Sequence, residues 1–275
     1  MGGRAAAERT VVSRDGTRIT YWTSGSGRPL VLVHGVPADH SRWQPLLPFL
    51  EDHVTVLAMD RRGRGGSEDA AEYVVEREYE DVAAVVDAAA VEYGQPVDVY
   101  GHSHGGIAAC GAATLTDNVR RLVLYEGWPV PDPSVYALPA PTMDRMTRLL
   151  EEGDRAGVVE TLFRAVEHVT DEDLDVLRSA PSWAGRVAAA GMVPREIWAE
   201  TQAWLDPRTI ATITCPVLLV TGEDSADPSR AHVEAIAAAL PDARHLVLSS
   251  QTHIADILDP QTFARHLLAF LHGES

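Results

Sequence analysis

An α/β fold is what this sequence predicts: a mostly parallel central sheet with helices on both faces, interrupted by one inserted helical segment. Three observations carry that expectation. Short aliphatic runs such as Leu30-Val31-Leu32-Val33 lack the polar alternation of a half-exposed strand, as expected when both faces of a strand are buried. Those runs alternate with helical periodicities, the pattern of right-handed crossover units in a parallel sheet. The alternation stops at Trp128 and resumes at Pro216, with only helical signals between Met143 and about Asp206.

Taken in order, Arg9 to Ser13 and Thr17 to Trp22 flank Arg14-Asp15-Gly16, an antiparallel hairpin around a glycine turn. Thr23 to Pro29 reads as a turn, and Leu30 to Val33 as a buried strand. A short helix is expected from about Trp43 to Leu50, then a strand from Val54 to Met59 and a glycine-rich turn, Asp60 to Ser67. From Val75 to Tyr93, Val82, Val85, Val86 and Ala89 recur at three- and four-residue spacing, an amphipathic helix ended by Gly94-Gln95-Pro96. Val97 to Tyr100 is a strand leading into a small-residue helix, and Arg121 to Tyr125 is another strand. Five prolines between Pro129 and Pro141 exclude helix or strand interior there. Beyond the helical insertion come a strand (Pro216 to Val220), a helix from Pro228 to Leu240 with Asp227 as its cap, a strand (His245 to Leu248) and a last helix, Pro260 to Leu271.

Apolar residues at 45% and charged residues at 23% suit a globular chain that builds its core without disulfides or metal. The two cysteines, Cys110 and Cys215, lie in apolar runs and read as buried free thiols. A formal charge of −17 disfavours nucleic acid and anionic membrane surfaces as partners. The opening residues lack the apolar core of a signal peptide, and no apolar run approaches a membrane span, so the expected location is cytoplasmic.

The chemistry centres on Gly101-His102-Ser103-His104-Gly105. A strand before and a helix after give the strand–turn–helix context that a Gly-x-Ser-x-Gly nucleophile turn requires. The serine backbone is strained there, and glycine two residues to either side avoids collision. The helix N-terminus brings unpaired backbone N–H groups beside the serine. His102 and His104 have the spacing of a metal pair. Ser103 projects between them and no carboxylate is adjacent, so no metal is expected; His102 is expected to pack beneath the turn.

Along nearly its whole length the chain resembles the α/β-hydrolase family. The matching signs are His34-Gly35-Val36-Pro37, Asp60 to Ser67, the serine turn, the helical insertion, Gly222-Glu223-Asp224 and Gln251-Thr252-His253, in the family's order. The resemblance implies Ser103 as nucleophile and His253, between the last strand and last helix, as the base it needs. It implies backbone N–H groups of Val36 and His104 as the oxyanion hole. It also implies an acid that fixes the histidine tautomer. Here the chain departs from the usual pattern, because Ser225 stands where the acid is commonly found. Two carboxylates remain: Asp224, one position early and narrowly preferred, and Glu126, at the end of the strand neighbouring Ser103. The resemblance implies that Asp60 and Arg61 hold loops beneath the site, which is preferred to a direct substrate role for Arg61, Arg62 or Arg64.

The expected organisation is a core of residues 1–127 and 207–275 with a helical cap of residues 128–206. Trp128, Tyr136, Met143, Met146, Trp183, Trp198 and Trp204 are candidate pocket linings, and an apolar lining suits an acyl chain, aromatic ester or lactone. The expected activity is a cofactor-free serine hydrolase acting on an ester or lactone of a small, largely apolar substrate, as a monomer or homodimer. Related chemistries of the family stay open: C–C bond hydrolysis, perhydrolysis, processing of biosynthetic intermediates, and binding without catalysis.

Overall fold

In the computed structural model of the chain, residues 7–130, 132–167, 169–225 and 232–274 are described. Eight strands form one sheet: β1 (Ala7–Val12), β2 (Arg18–Gly25), β3 (Arg28–Val33), β4 (Val54–Met59), β5 (Val97–His102), β6 (Val119–Tyr125), β7 (Val217–Gly222) and β8 (Ala243–Leu248). Their order is β1-β2-β4-β3-β5-β6-β7-β8. β1 and β2 make the expected hairpin, with Gly16 at φ 92 in its turn. β2 runs antiparallel to β4, and every pairing from β4 to β8 is parallel.

Alternate residues of the central strands feed two apolar layers, as the two-residue period of a strand dictates. Val31, Val33, Val99, Leu122 and Leu124 pack with α1 (Val75–Tyr93), α2 (His104–Ala112) and α9 (Val233–Ala239) on one face. Leu30, Leu32, Tyr100 and Val123 pack with Phe263, Leu267 and Phe270 of α11 (Pro260–His272) on the other. A fully buried side chain of this kind contributes about 1.5–3 kcal/mol. The predicted apolar stripe of α1 is buried throughout, and the helix stops at Gly94, which takes the left-handed φ of 66.

Between β6 and β7 lie α3 (Ala140–Glu151), α4 (Arg155–Leu162), a π-helical stretch (Phe163–Glu167), α5 (Asp171–Ser179), α6 (Trp183–Ala189), α7 (Val193–Glu200) and α8 (Pro207–Ile210), with no strand among the described residues. Met146, Val158, Val159, Leu162, Phe163, Leu174, Leu177 and Ile197 form a third apolar cluster that also takes in Val36 and Ile254. Val36 follows β3 and Ile254 follows β8, so these helices pack across the carboxyl edge of the sheet.

Local expectations shift in several places. β2 continues to Gly25, because Thr23, Ser24 and Gly25 pair with Leu57, Val56 and Thr55; a polar, glycine-containing run reads as a turn until a partner strand is known. The expected helix from Trp43 to Leu50 is two 3-10 stretches, His40–Trp43 and Leu47–Phe49, parted by residues 44–46 and with Pro48 inside the second. α3 begins at Ala140 instead of Met143, with Pro141 in its first turn, where a missing N–H costs nothing. Asp227 and Pro228 lie outside the described residues, and the helix they were expected to open is described from Val233. A short α10 (Ala255–Leu258) was not foreseen.

Among the described residues no helix is long and apolar enough to cross a membrane. Both cysteines are free thiols. Burial pushes Cys110 up to about 12 and Cys215 up to about 11, leaving both protonated at neutral pH.

Candidate active site

Ser103 is the single residue between β5 and α2, held at φ 55, ψ −130. Such a conformation costs a side-chain-bearing residue on the order of 1–3 kcal/mol and persists only where the surroundings over-determine it. The Ser103 N–H donates to the Tyr125 carbonyl at 2.9 Å, and its own carbonyl accepts from Gly106 at 2.7 Å. A Cβ on Gly101 would stand 2.5 Å from the Gly105 carbonyl, and one on Gly105 would strike the Val33 and His34 carbonyls. The flanking glycines are therefore required by contact with neighbouring backbone.

His253, in the loop after β8, places Nδ1 2.7 Å from Oε2 of Glu126, and both residues are buried. Glu126 is held from two further directions: Gly222 N–H donates to Oε1 at 2.7 Å, and Ser225 Oγ donates to Oε2 at 2.6 Å. It follows β6 directly and takes a left-handed φ of 44, which turns its carboxylate back toward β7 and His253. Asp224, the narrowly preferred acid, is exposed, with its N–H on the Gln251 carbonyl at 2.9 Å. The chain turns Glu126 inward and leaves Asp224 at the surface, so the carboxylate on His253 is Glu126. Ser225, at the usual acid position, serves that carboxylate as a donor.

The loop after β3 is shaped by His34. Its Nδ1 lies 2.9 Å from the Gly35 carbonyl, and its Nε2 lies 3.3 Å from the Arg61 N–H. Burial, then the positive charges of Arg61 and Arg64, hold its pKa well below the usual 6.5, so Nδ1 is the donor and Nε2 the acceptor. Turning the Gly35 carbonyl toward His34 turns the Val36 N–H, on the opposite side of that peptide, away from His34. A Cβ on Gly35 would stand 2.8 Å from Ser103 Cβ, so this loop lies directly against the nucleophile's turn. The N–H groups of His104 and Gly105, in the first turn of α2, have no carbonyl of their own helix to bind.

The loop carrying His253 is tied from beneath. Tyr125 donates its hydroxyl to the Thr252 carbonyl, and Ala255 N–H donates back to that hydroxyl at 3.2 Å. Asp256 accepts from Arg42 at 2.9 and 2.7 Å and from Tyr100 at 3.0 Å. Arg42 follows the Val36 loop, so one buried ion pair joins the two loops that flank Ser103.

A second buried cluster joins α7 to the core. Arg61 pairs with Glu78 at 2.8 Å and with Glu196 at 3.1 Å, and Arg64 also pairs with Glu196. His104 places Nδ1 2.9 Å from Glu200 and Nε2 3.3 Å from the Tyr73 hydroxyl. Burial, ahead of the Arg61 charge, lowers the His104 pKa, which makes its Nδ1–H the donor to Glu200. Arg62 is taken up by Asp81 and Asp15. The three arginines therefore have carboxylate partners within the protein. The His104 ring lies within this cluster, 96 residues in sequence from Glu200.

Of the expected linings, Met146 is fully buried in the cluster that contains Val36, and Met143 and Trp183 pack against it. Trp128 is buried beside α2, with its carbonyl accepting from Tyr136 at 2.9 Å. Trp198 and Trp204 are 63% and 49% exposed and face solvent. The helical period of α7 turns Val193, Glu196, Ile197 and Glu200 inward and Trp198 out. One cation went unforeseen: Arg186 of α6 is buried, lies over the Phe163 ring at 5.2 Å and donates to the Pro37 carbonyl at 3.1 Å. Neither it nor the Arg42–Asp256 pair carries a local sequence signal.

The family model described as "Alpha/beta hydrolase family" matches residues 30–266. A solved alpha/beta hydrolase from Sphaerobacter thermophilus is 34% identical and superimposes with a TM-score of 0.77, over 96% of this chain and 100% of that one. The (E)-2-((N-methylformamido)methylene)succinate hydrolase of Acinetobacter baylyi is 22% identical over 259 residues, 91% of this chain and 93% of that protein. The enol-lactonase from Burkholderia xenovorans shares the fold at a TM-score of 0.71 and 21% identity, over 96% of this chain and 100% of that one.

Proposed function

The chain belongs to the alpha/beta hydrolase family, and on that premise we propose that it is a serine hydrolase cleaving an ester or lactone through an acyl-enzyme on Ser103. The observation that carries this reading is the 2.7 Å contact of His253 with a triply held, buried Glu126, in a chain whose nucleophile turn keeps Ser103 at φ 55.

Ser103 Oγ attacks the substrate carbonyl and its proton passes to His253. Because Nδ1 is committed to Glu126, the nitrogen that receives it is Nε2. Glu126 fixes the tautomer and steadies the imidazolium that forms. The oxyanion is held by the N–H groups of Val36 and His104; one such donor is typically worth about a hundred- to a thousandfold in turnover. His253 returns the proton to the leaving alcohol, then takes one from water, which attacks the acyl group and releases the acid and Ser103. The helices of residues 128–206 act as the cap, and the cluster around Met146, Phe163 and Ile254 offers the substrate an apolar surround.

A fluorophosphonate probe tests the reading: it should label the intact protein and fail on Ser103→Ala. Absence of labelling in the folded wild-type chain overturns it. A panel of esters and lactones with graded acyl chains then finds the substrate.

A second reading, hydrolysis of a carboxylate-bearing substrate, is favoured by Arg186. This buried cation donates to the residue after Val36, and its charge acts on the His102 ring. The Acinetobacter relative is named for a succinate derivative, which carries carboxylates. Including carboxylate-bearing substrates in the panel separates the two readings.

A further inference from the structure

His102, the last residue of β5, is buried and stands directly before Ser103. Its Nε2 lies 2.8 Å from the backbone carbonyl oxygen of His253. A carbonyl has no proton to offer, so Nε2 carries the hydrogen and donates it. The two imidazole rings are 4.6 Å apart, and Tyr125 packs edge-on to His102 at 5.3 Å. The other nitrogen, Nδ1, is buried, has no hydrogen-bond partner among the described residues and faces the Gly35 backbone, 3.1 Å from where a Cβ would stand.

That orphaned acceptor is the informative detail. Burying a polar atom without a partner costs about 1–3 kcal/mol, and a leucine would fill the site without that cost. What histidine supplies that leucine does not is the N–H on the His253 carbonyl. The ring also stays neutral: burial, then the charges of Arg42 and His253, drive its protonation far down. A neutral neighbour allows His253 to become an imidazolium without a second positive charge against it.

We propose that His102 is a positioning residue acting through His253, tying the backbone of the base to the backbone of the nucleophile. Glu126 holds the His253 ring and His102 holds its main chain, so both ends of that residue are referred to strand ends flanking Ser103. The inference rests on the serine-hydrolase reading for its kinetic effect, and on geometry alone for its effect on His253.

The test compares His102→Gln, whose amide nitrogen reaches the place of Nε2, with His102→Asn, which is equally polar but too short, and His102→Leu. Turnover on a p-nitrophenyl ester is measured beside the low-field proton resonance of the His253–Glu126 hydrogen bond. A misplacement of about 1 Å in a reacting group can cost on the order of a hundredfold. His102→Asn and His102→Leu are therefore expected to lose ten- to a hundredfold in kcat, with KM within about twofold. Their low-field resonance is expected to broaden, and His102→Gln to recover both readouts. Equal behaviour of the Gln and Asn variants overturns the proposal. Should the wild-type protein hydrolyse no ester and take no fluorophosphonate, the serine-hydrolase reading fails while the resonance still decides the role of His102.

Discussion

Glu200 and His104 meet at 2.9 Å across the boundary between α7 and the helix that follows Ser103. The hydrogen bond lies one residue from Ser103, and it belongs to the cluster in which Glu196 grips Arg61 and Arg64. The helical segment is thus fastened to the core through polar groups, on the side of Ser103 opposite the His253 loop. Removing the acceptor in Glu200→Ala leaves a buried ring N–H unsatisfied, a cost of about 1–3 kcal/mol. Hydrogen exchange should quicken in α7 while β3, β5 and β6 keep their protection, and Glu200→Gln, which keeps an acceptor, should restore it. Equal protection in all three proteins contradicts this role for Glu200.

Glu126 and Asp224 separate cleanly by substitution. Glu126→Gln keeps size and most hydrogen bonds but removes the charge that fixes His253, and kcat should fall about 10³- to 10⁴-fold. Asp224→Asn, at an exposed side chain, should leave kcat within about twofold. Steady-state kinetics on any ester that is turned over decides between them, and the reverse ranking would return the acid to Asp224.

The His40–Asp60 contact sets a pH dependence of stability. Burial alone would lower the His40 pKa, but the hydrogen bond to Asp60 at 2.8 Å and its charge outweigh it and raise the value above 6.5. Asp60 is lowered correspondingly, burial being overcome by His40 and by the Gly66 and His40 backbone N–H groups. A raised histidine contributes stability fully below its unfolded value of 6.5, lost as pH rises through the folded value. The Asp60 contribution is present above 3.8 and lost as pH falls through its own lowered value. The Tm gap between wild type and His40→Gln should therefore be widest between those limits and shrink on the alkaline side. A gap that grows with alkalinity rules the assignment out.

Arg42 and Asp256 are both buried and share two contacts. Arg42→Met strands the Asp256 charge and should destabilise the fold by about 3–5 kcal/mol, while Arg42→Met with Asp256→Leu should lose less. Urea unfolding of the two variants measures the difference, and a double variant as unstable as the single one shows the pair to be replaceable only by itself.

Much of this was legible in the sequence because core strands and amphipathic helices leave periodic traces. β4, α1 and the strand before Ser103 stand where their apolar patterns put them, and the glycines around Ser103 mark its turn. Which carboxylate meets His253 was not legible: Asp224 and Glu126 both follow strands, and only the left-handed backbone of Glu126 turns one of them inward. Trp198 faces solvent because the phase of α7, and not its aromaticity, decides its side. Glu200, Arg42 and Asp256 find partners 96 to 214 residues away, and no local pattern records such a meeting.

The fastening of α7 has a thermal consequence. The penalty for taking charged groups out of water falls as temperature rises, while the apolar contribution per unit area levels off. Glu78 and Glu196 against Arg61 and Arg64 are buried charges of this kind. On warming, the ion pairs that fasten α7 gain weight relative to the apolar layers on the two faces of the sheet. Heat should therefore weaken the polar fastening of α7 less steeply than the apolar contacts of the sheet faces.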